Sequence, residues 1–332
     1  MARQNNHYLG NPHVRGLDDV HDWTKEEILE FKKCKDSAVY FAENYCQVIH
    51  VDRGLVPFKL YDYQKEMYDH FDNNRFTIVL ACRQSGKSIS VVAYLLWYAL
   101  FNTEKTVGIL ANKGDTAREM LSRITLMLEN IPFFLQPGCK ALNKGSIEFA
   151  NNSRILSAAT SGSSIRGKSL NIIYLDEFAF VENATEFYTS TYPVISSGRS
   201  TKVIITSTAN GIGNMYHKLY EGAVQGTNEF KPFRVDWWDV PGRDEEWKKQ
   251  TIANTSVLQF EQEFLNCLET NCQITILISS KVYEIRIGDL YEIIRRGDTS
   301  GIPVDEEIRS KAIRWYNDEE SYQKELPSIC KS

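Results

Sequence analysis

Apolar residues along this chain follow two rhythms. Short, uninterrupted β-branched runs alternate with longer stretches whose apolar positions recur at helical spacing. The first rhythm predicts strands buried on both faces, the second amphipathic helices. Strands are expected at Thr77–Leu80, Lys105–Asn112, Ile172–Leu175, Lys202–Thr208 and Phe230–Val240. Ser146–Ala150 and Arg154–Ala158 read as a short pair joined by Asn151-Asn152-Ser153, a turn signature. Helices are expected after Thr24 as N-cap, with Glu26 and Glu27 in the first turn, and after Ser37 through SAVYFAENYCQVIH. Others cover SISVVAYLLWYALF, KGDTAREMLSRITLMLENI, Ala184–Ile195, GNMYHKLYEGAVQG and DEEWKKQTIANTSVLQFEQEFLN. Residues 1–22 are polar and aperiodic, and are expected to form a mobile arm. Alternation of this kind predicts an α/β fold: a mostly parallel sheet flanked by helices, with ligand at the carboxyl ends of the strands.

Composition narrows the picture little. The 332 residues are 42% hydrophobic and 24% charged, enough for a large core and room for two domains. A net charge of −5 gives no global nucleic-acid signature, which leaves a local basic groove open. The N-terminus has no apolar core of a signal peptide, and no apolar run is long enough for a membrane span. Seven cysteines at scattered spacing, with no CxxC, predict reduced thiols rather than a disulfide framework or a structural zinc site.

Candidate chemistry starts where the first buried run meets Cys82-Arg83-Gln84-Ser85-Gly86-Lys87-Ser88 and then a helix. Strand, tight Gly-Lys-Ser loop and helix make a phosphate-cradling P-loop, although Ala81 stands where the pattern has its first glycine. A helix N-terminus offers free N–H groups and a positive dipole end. Lys87 supplies a point charge for the β/γ-phosphates, and the Ser88 hydroxyl can ligate Mg²⁺. Asp176 and Glu177 follow the run Ile172–Leu175. The first can hold Mg²⁺ opposite Ser88, and the second can polarise the water that attacks the γ-phosphate. Gln64 has the donor and acceptor needed to read adenine. Ser207 and Thr208, at another strand end, can sense the γ-phosphate. The loop Thr160–Ser169, with Arg166 and Lys168, reads equally as a basic sensor, a DNA-touching loop or a surface turn.

The ordered set DYQ, ACRQSGKS, IIYLDEFAF and IITSTANG resembles the ATPase half of the large terminase subunit of tailed bacteriophages, over roughly residues 23–266. The resemblance implies a P-loop NTPase that uses ATP and Mg²⁺. Arg83 would stabilise charge on the transferring phosphoryl group, with Gln84, Ser85, Gly86, Lys87, Ser88 and Asp176 around the nucleotide. Glu177 would be the catalytic carboxylate, Ser207 and Thr208 the coupling motif, and Gln64 the adenine reader. It further implies a ring of subunits in the host cell cytoplasm that drives double-stranded DNA through a portal into a procapsid, with a small terminase subunit as partner. A helicase-like ATPase would need a second ATPase-like domain, for which the chain has no room. A DNA-binding scaffold with an inactive P-loop is the other alternative.

From Cys267 the sequence resembles the opening of an intein: a nucleophilic Cys, two strand-like runs (Ile274–Ile278 and Val282–Ile287) around Ser279-Ser280-Lys281, then IGDLYEII. Cys272 departs from that pattern, and no histidine follows His217. The expectation is therefore the N-terminal fragment of a split intein over residues 267–298. It would be completed in trans by a C-terminal intein–nuclease polypeptide, no nuclease domain being recognisable here. The alternative is a structural Cys267 in a linker. Residues 299–332 are charged and helix-prone, with no role assigned.

Overall fold

A computed structural model describes residues 7–160, 168–198, 200–211, 213–265, 273–278 and 281–286. Among these, the helices and strands in chain order begin with α1 (Lys25–Asp36), α2 (Ala38–Tyr45), β1 (Gln47–His50), β2 (Gly54–Pro57), α3 (Asp62–Asn73) and β3 (Phe76–Ala81). Then come α4 (Lys87–Phe101), β4 (Thr106–Ala111), α5 (Gly114–Asn130), β5 (Cys139–Leu142), β6 (Ser146–Phe149) and β7 (Arg154–Ala159). Next are β8 (Ile172–Asp176), α6 (Ala184–Ser197), β9 (Lys202–Ser207), α7 (Met215–Val224) and β10 (Lys231–Val235). The last are α8 (Glu245–Asn254), α9 (Val257–Phe264), β11 (Gln273–Ile278) and β12 (Lys281–Arg286).

The central sheet has eight strands in the order β10-β3-β9-β8-β4-β7-β6-β5. Pairing is parallel from β10 to β7 and antiparallel at the β7-β6-β5 edge. Alternate residues of each central strand enter different cores. Val79, Ala81, Val107, Ile109, Tyr174 and Ile204 pack with α1 to α5. Ile78, Leu80, Ile173, Leu175, Val203 and Ile205 pack with α6 and α7. Burial on both faces is why these strands read as unbroken apolar runs.

Four features differ from the sequence expectations. The helix after Ser37 stops at Tyr45, and Gln47–His50 instead pairs with Gly54–Pro57 as a hairpin. Val48 and Ile49 are stiff at χ1, which favours the extended form once a partner strand is present. Strand β10 ends at Val235, and Trp237–Asp239 forms a 3-10 turn closed by Asp239 bonding the Asp236 N–H. A third edge strand, β5, pairs with β6. Finally, residues 7–22 do not form a free arm. Val14 is buried, His7 bridges Arg15, and the edge strand's Cys139 N–H bonds the Arg15 carbonyl at 2.8 Å. The buried Gln136 locks this segment: its Oε1 accepts from Arg15 N–H and its Nε2 donates to the His13, Leu128 and Ile131 carbonyls.

Candidate active site

The carboxyl ends of β3, β8 and β9 converge on one point, because β9 lies between the other two in the sheet. Strand β3 runs into the loop 82–86, which turns through left-handed backbone at Gln84 (φ 56°) and Gly86 (φ 77°) before α4 starts at Lys87. Gly86 fits twice over. Its φ is in the region glycine tolerates, and a Cβ there would lie 2.9 Å from Gln64 Nε2.

Helix α3 braces this loop in register. Tyr63 donates to the Ser85 carbonyl, Gln64 Nε2 to the Gly86 carbonyl (3.3 Å), and Tyr68 to the Ser90 carbonyl (2.7 Å). Tyr94 in turn donates to Asp72 Oδ1 at 2.7 Å. Gln64 is 1% exposed, and its Oε1 accepts from the Tyr61 N–H at 2.9 Å. Both ends of the amide are engaged within the chain, where Gln64 braces the loop.

At the apex, Lys87 Nζ donates to Glu177 Oε1 at 2.6 Å, and Ser88 Oγ donates to Asp176 Oδ1 at 3.1 Å. Lys87 and Asp176 are buried. Burial, reinforced by the neighbouring Glu177 charge, pushes the Asp176 carboxyl above the ordinary carboxylate range, against the pull of Lys87 and of the Tyr174 and Thr206 hydroxyls. Glu177 sits in left-handed backbone (φ 48°, ψ 46°), which ends β8 and turns its side chain toward Lys87. Its Oε2 faces β9, accepting from Ser207 Oγ (3.3 Å), Thr208 N–H (3.2 Å) and Thr208 Oγ1 (3.5 Å). The predicted lysine, hydroxyl, carboxylates and Ser207–Thr208 pair thus meet at one apex in two adjacent clusters, Lys87 with Glu177, Ser207 and Thr208, and Ser88 with Asp176.

Residues 78–269 match the family described as terminase large subunit, T4likevirus-type, N-terminal. The chain belongs to this family. The ATPase domain of the Thermus phage P74-26 large terminase superposes with TM-score 0.54 at 18% identity, over 63% of this chain and 94% of that one. The bacteriophage HK97 large terminase gives TM-score 0.60 at 15% identity, over 78% of this chain and 58% of that one. A large terminase from a thermophilic bacteriophage in complex with ADP gives 0.53 at 13%, over 65% and 55%. Family and fold together make the matched region a terminase ATPase domain, an ATP hydrolase. The chain spans little more than half the length of the latter two terminases.

Arg83 is set apart from the apex of this terminase. Its side chain is 61% exposed and its Nη1 pairs with Glu263 Oε1 at 2.6 Å, which raises the guanidinium pKa further. Two residues missed in the sequence hold the same loop from outside. The Arg83 N–H bonds the Glu263 carbonyl (2.9 Å), and Arg243 donates to the carbonyls of Arg83 (3.2 Å) and Gln84 (3.0 Å). Arg243 also lies over the rings of Trp247 and Phe264, 4.7 and 5.3 Å from their centroids. The one cue in the sequence is the Pro241-Gly242-Arg243-Asp244 stretch, a turn signature that carries a cation. Cys267 and residues 161–167, with Arg166, lie outside the described residues. The four described cysteines, Cys34, Cys46, Cys82 and Cys139, are free thiols. Among the described residues, no helix is long and apolar enough to cross a membrane.

Proposed function

We propose that this terminase domain hydrolyses ATP at the apex of β3, β8 and β9, and couples hydrolysis to movement of double-stranded DNA into a procapsid. In this reading it works in the host cytoplasm as a ring of identical subunits, with a portal and a small terminase subunit as partners. The observation that carries it is the double link from loop to strand end, Lys87 to Glu177 and Ser88 to Asp176. Phosphoryl transfer needs positioning and charge neutralisation at one point, and these four residues supply both.

An ATP γ-phosphate would compete with Glu177 for Lys87, freeing the carboxylate to orient water. The water oxygen attacks the γ-phosphorus, the bond to the β–γ bridging oxygen breaks with its electron pair leaving on ADP, and Glu177 takes the water's proton. Ser207 and Thr208, bonded to the same carboxylate, register its release and pass it to β9. Arg83 would support the transferring charge after leaving Glu263, and Gln64 acts through the loop it braces. The hard-oxygen pair Ser88 and Asp176 fits Mg²⁺, since a cation beside a buried carboxylate with a raised pKa relieves its desolvation. When bound, Mg²⁺ neutralises phosphate charge.

DNA-stimulated phosphate release tests this. Glu177→Gln and Lys87→Ala should each lower the rate at least ~10²-fold with unchanged circular dichroism, the first variant retaining nucleotide binding. An undiminished rate in either sinks the assignment. A parent chain that binds DNA without turning over ATP would leave the scaffold reading.

We further propose that a splicing segment begins at Cys267. The observation behind it is the antiparallel hairpin of β11 and β12, with Gln273 opposite Arg286, beyond the terminase match, which ends at residue 269, two residues past Cys267. The Cys267 thiolate would attack the Asn266 carbonyl carbon; the C–N bond breaks, a thioester forms and the freed amine takes a proton. Mass spectrometry of the chain mixed with a C-terminal intein–nuclease polypeptide should reveal a ligated product lacking everything from Cys267 onward. Ligation by Cys267→Ala would refute it.

A further inference from the structure

Tyr174 lies two residues before Asp176 on β8, so both side chains leave the same face of the strand. It is fully buried and is the one polar side chain in the run Ile172–Leu175. Its hydroxyl donates to Asp176 Oδ1 at 2.6 Å. Thr206, directly opposite Asp176 in the β8–β9 register, places Oγ1 3.0 Å from the same Oδ1 and 3.0 Å from the Tyr174 hydroxyl. Ser88 reaches Oδ1 from the loop at 3.1 Å. Three hydroxyls therefore converge on one carboxylate oxygen, and among the described residues no hydrogen bond falls on Oδ2.

Two hydrogens, those of Tyr174 and Thr206, serve the three contacts within that triangle. Each hydroxyl is thereby oriented by the other as well as by Oδ1, so the setting of the carboxylate plane depends on both. A tyrosine present only to fill volume would need no partner of this kind, because phenylalanine packs the same space.

We propose that Tyr174 is a positioning residue for the divalent cation that accompanies the nucleotide: together with Thr206 it pins Oδ1 and leaves Oδ2 as the oxygen available to the metal. This rests on the reading that Ser88 and Asp176 hold Mg²⁺. It predicts a residue that sets metal dependence without touching nucleotide.

The test is binding of a fluorescent ATP analogue to the full chain, titrated with Mg²⁺ and repeated in EDTA. Tyr174→Phe should raise the Mg²⁺ concentration for half-maximal effect about 10- to 100-fold and leave affinity in EDTA unchanged, as expected for loss of a group that orients a metal ligand. Thr206→Ser should keep the parental Mg²⁺ dependence, and Thr206→Val should shift it in the same direction as Tyr174→Phe. Parental Mg²⁺ dependence in Tyr174→Phe, or equal losses with and without metal, would overturn the proposal. If Tyr174→Phe does not fold, the threonine pair decides: indistinguishable Thr206→Ser and Thr206→Val overturn it. A parent chain whose nucleotide binding ignores Mg²⁺ brings down the Ser88–Asp176 metal reading itself, a separate result.

Discussion

At the carboxyl ends of β3, β8 and β9, buried Lys87 and Asp176 and half-buried Glu177 are held by one another and by hydroxyls. At the antiparallel edge, buried Gln136 is held by one backbone N–H and three carbonyls, and Asn151 Nδ2 donates to the carbonyls of Ala99, Leu100 and Asn102. Both regions engage these side chains, but with different partners. Neutral amides on backbone groups have no second arrangement of similar energy, and they fix the chain. Charged groups on one another can be re-paired by an incoming phosphate or cation, and they keep the site responsive. Around the apex the backbone also turns through left-handed φ, at Gln84, Gly86 and Glu177.

The contrast can be broken from either side. Gly86→Val should have the largest effect, since it adds ~1–3 kcal/mol of backbone strain and drives a side chain into Gln64. Equilibrium dialysis should find nucleotide binding lost, while the antiparallel edge keeps its hydrogen-exchange protection. Gln136→Leu is the mirror experiment. Stranding the carbonyls of His13, Leu128 and Ile131 and the Arg15 N–H should cost about 2–3 kcal/mol of stability. A denaturant titration would register that loss, while kcat at permissive temperature stays parental.

Arg243→Ala should be milder. Loosening the carbonyls of Arg83 and Gln84 should raise KM for ATP by about tenfold, equivalent to ~1.4 kcal/mol. The smallest effect concerns pH. The folded-state pKa of Asp176 is raised, so the stability linked to its protonated form is present at low pH and lost as pH rises through that value. In metal-free buffer, Asp176→Asn should therefore melt above the parent by a margin that grows from about pH 4 toward neutral. A margin that shrinks instead would show that charge pairing outweighs burial at this carboxylate.

The parallel core was legible because β3, β4, β8 and β9 are covered on both faces and so carry unbroken apolar runs. Lys87, Ser88, Asp176 and Glu177 were legible because a short loop and a strand end dictate where such residues go. What escaped depends on partners remote in sequence. Cys139–Leu142 has no pattern of its own and becomes a strand through β6 and the folded-back residues 7–22. Gln64 bonds the Tyr61 N–H and the Gly86 carbonyl, and only the packing of α3 brings the loop to it. Arg243 and Glu263 reach the loop from 159 and 180 residues away. Tyr174 passed as a strand filler because apolar burial of its ring hides the hydroxyl's destination.

The four ties between α3 and the region that follows, Tyr63 to Ser85, Gln64 to Gly86, Tyr68 to Ser90 and Asp72 to Tyr94, share one spacing in sequence. That constancy makes the intervening strand and loop a length gauge. A single residue inserted or deleted between Asn73 and Ser85 would shift all four pairs together, whichever residue it was. The segment should therefore tolerate exchange of side chains far better than any change in residue number, and its length should drift more slowly than its sequence.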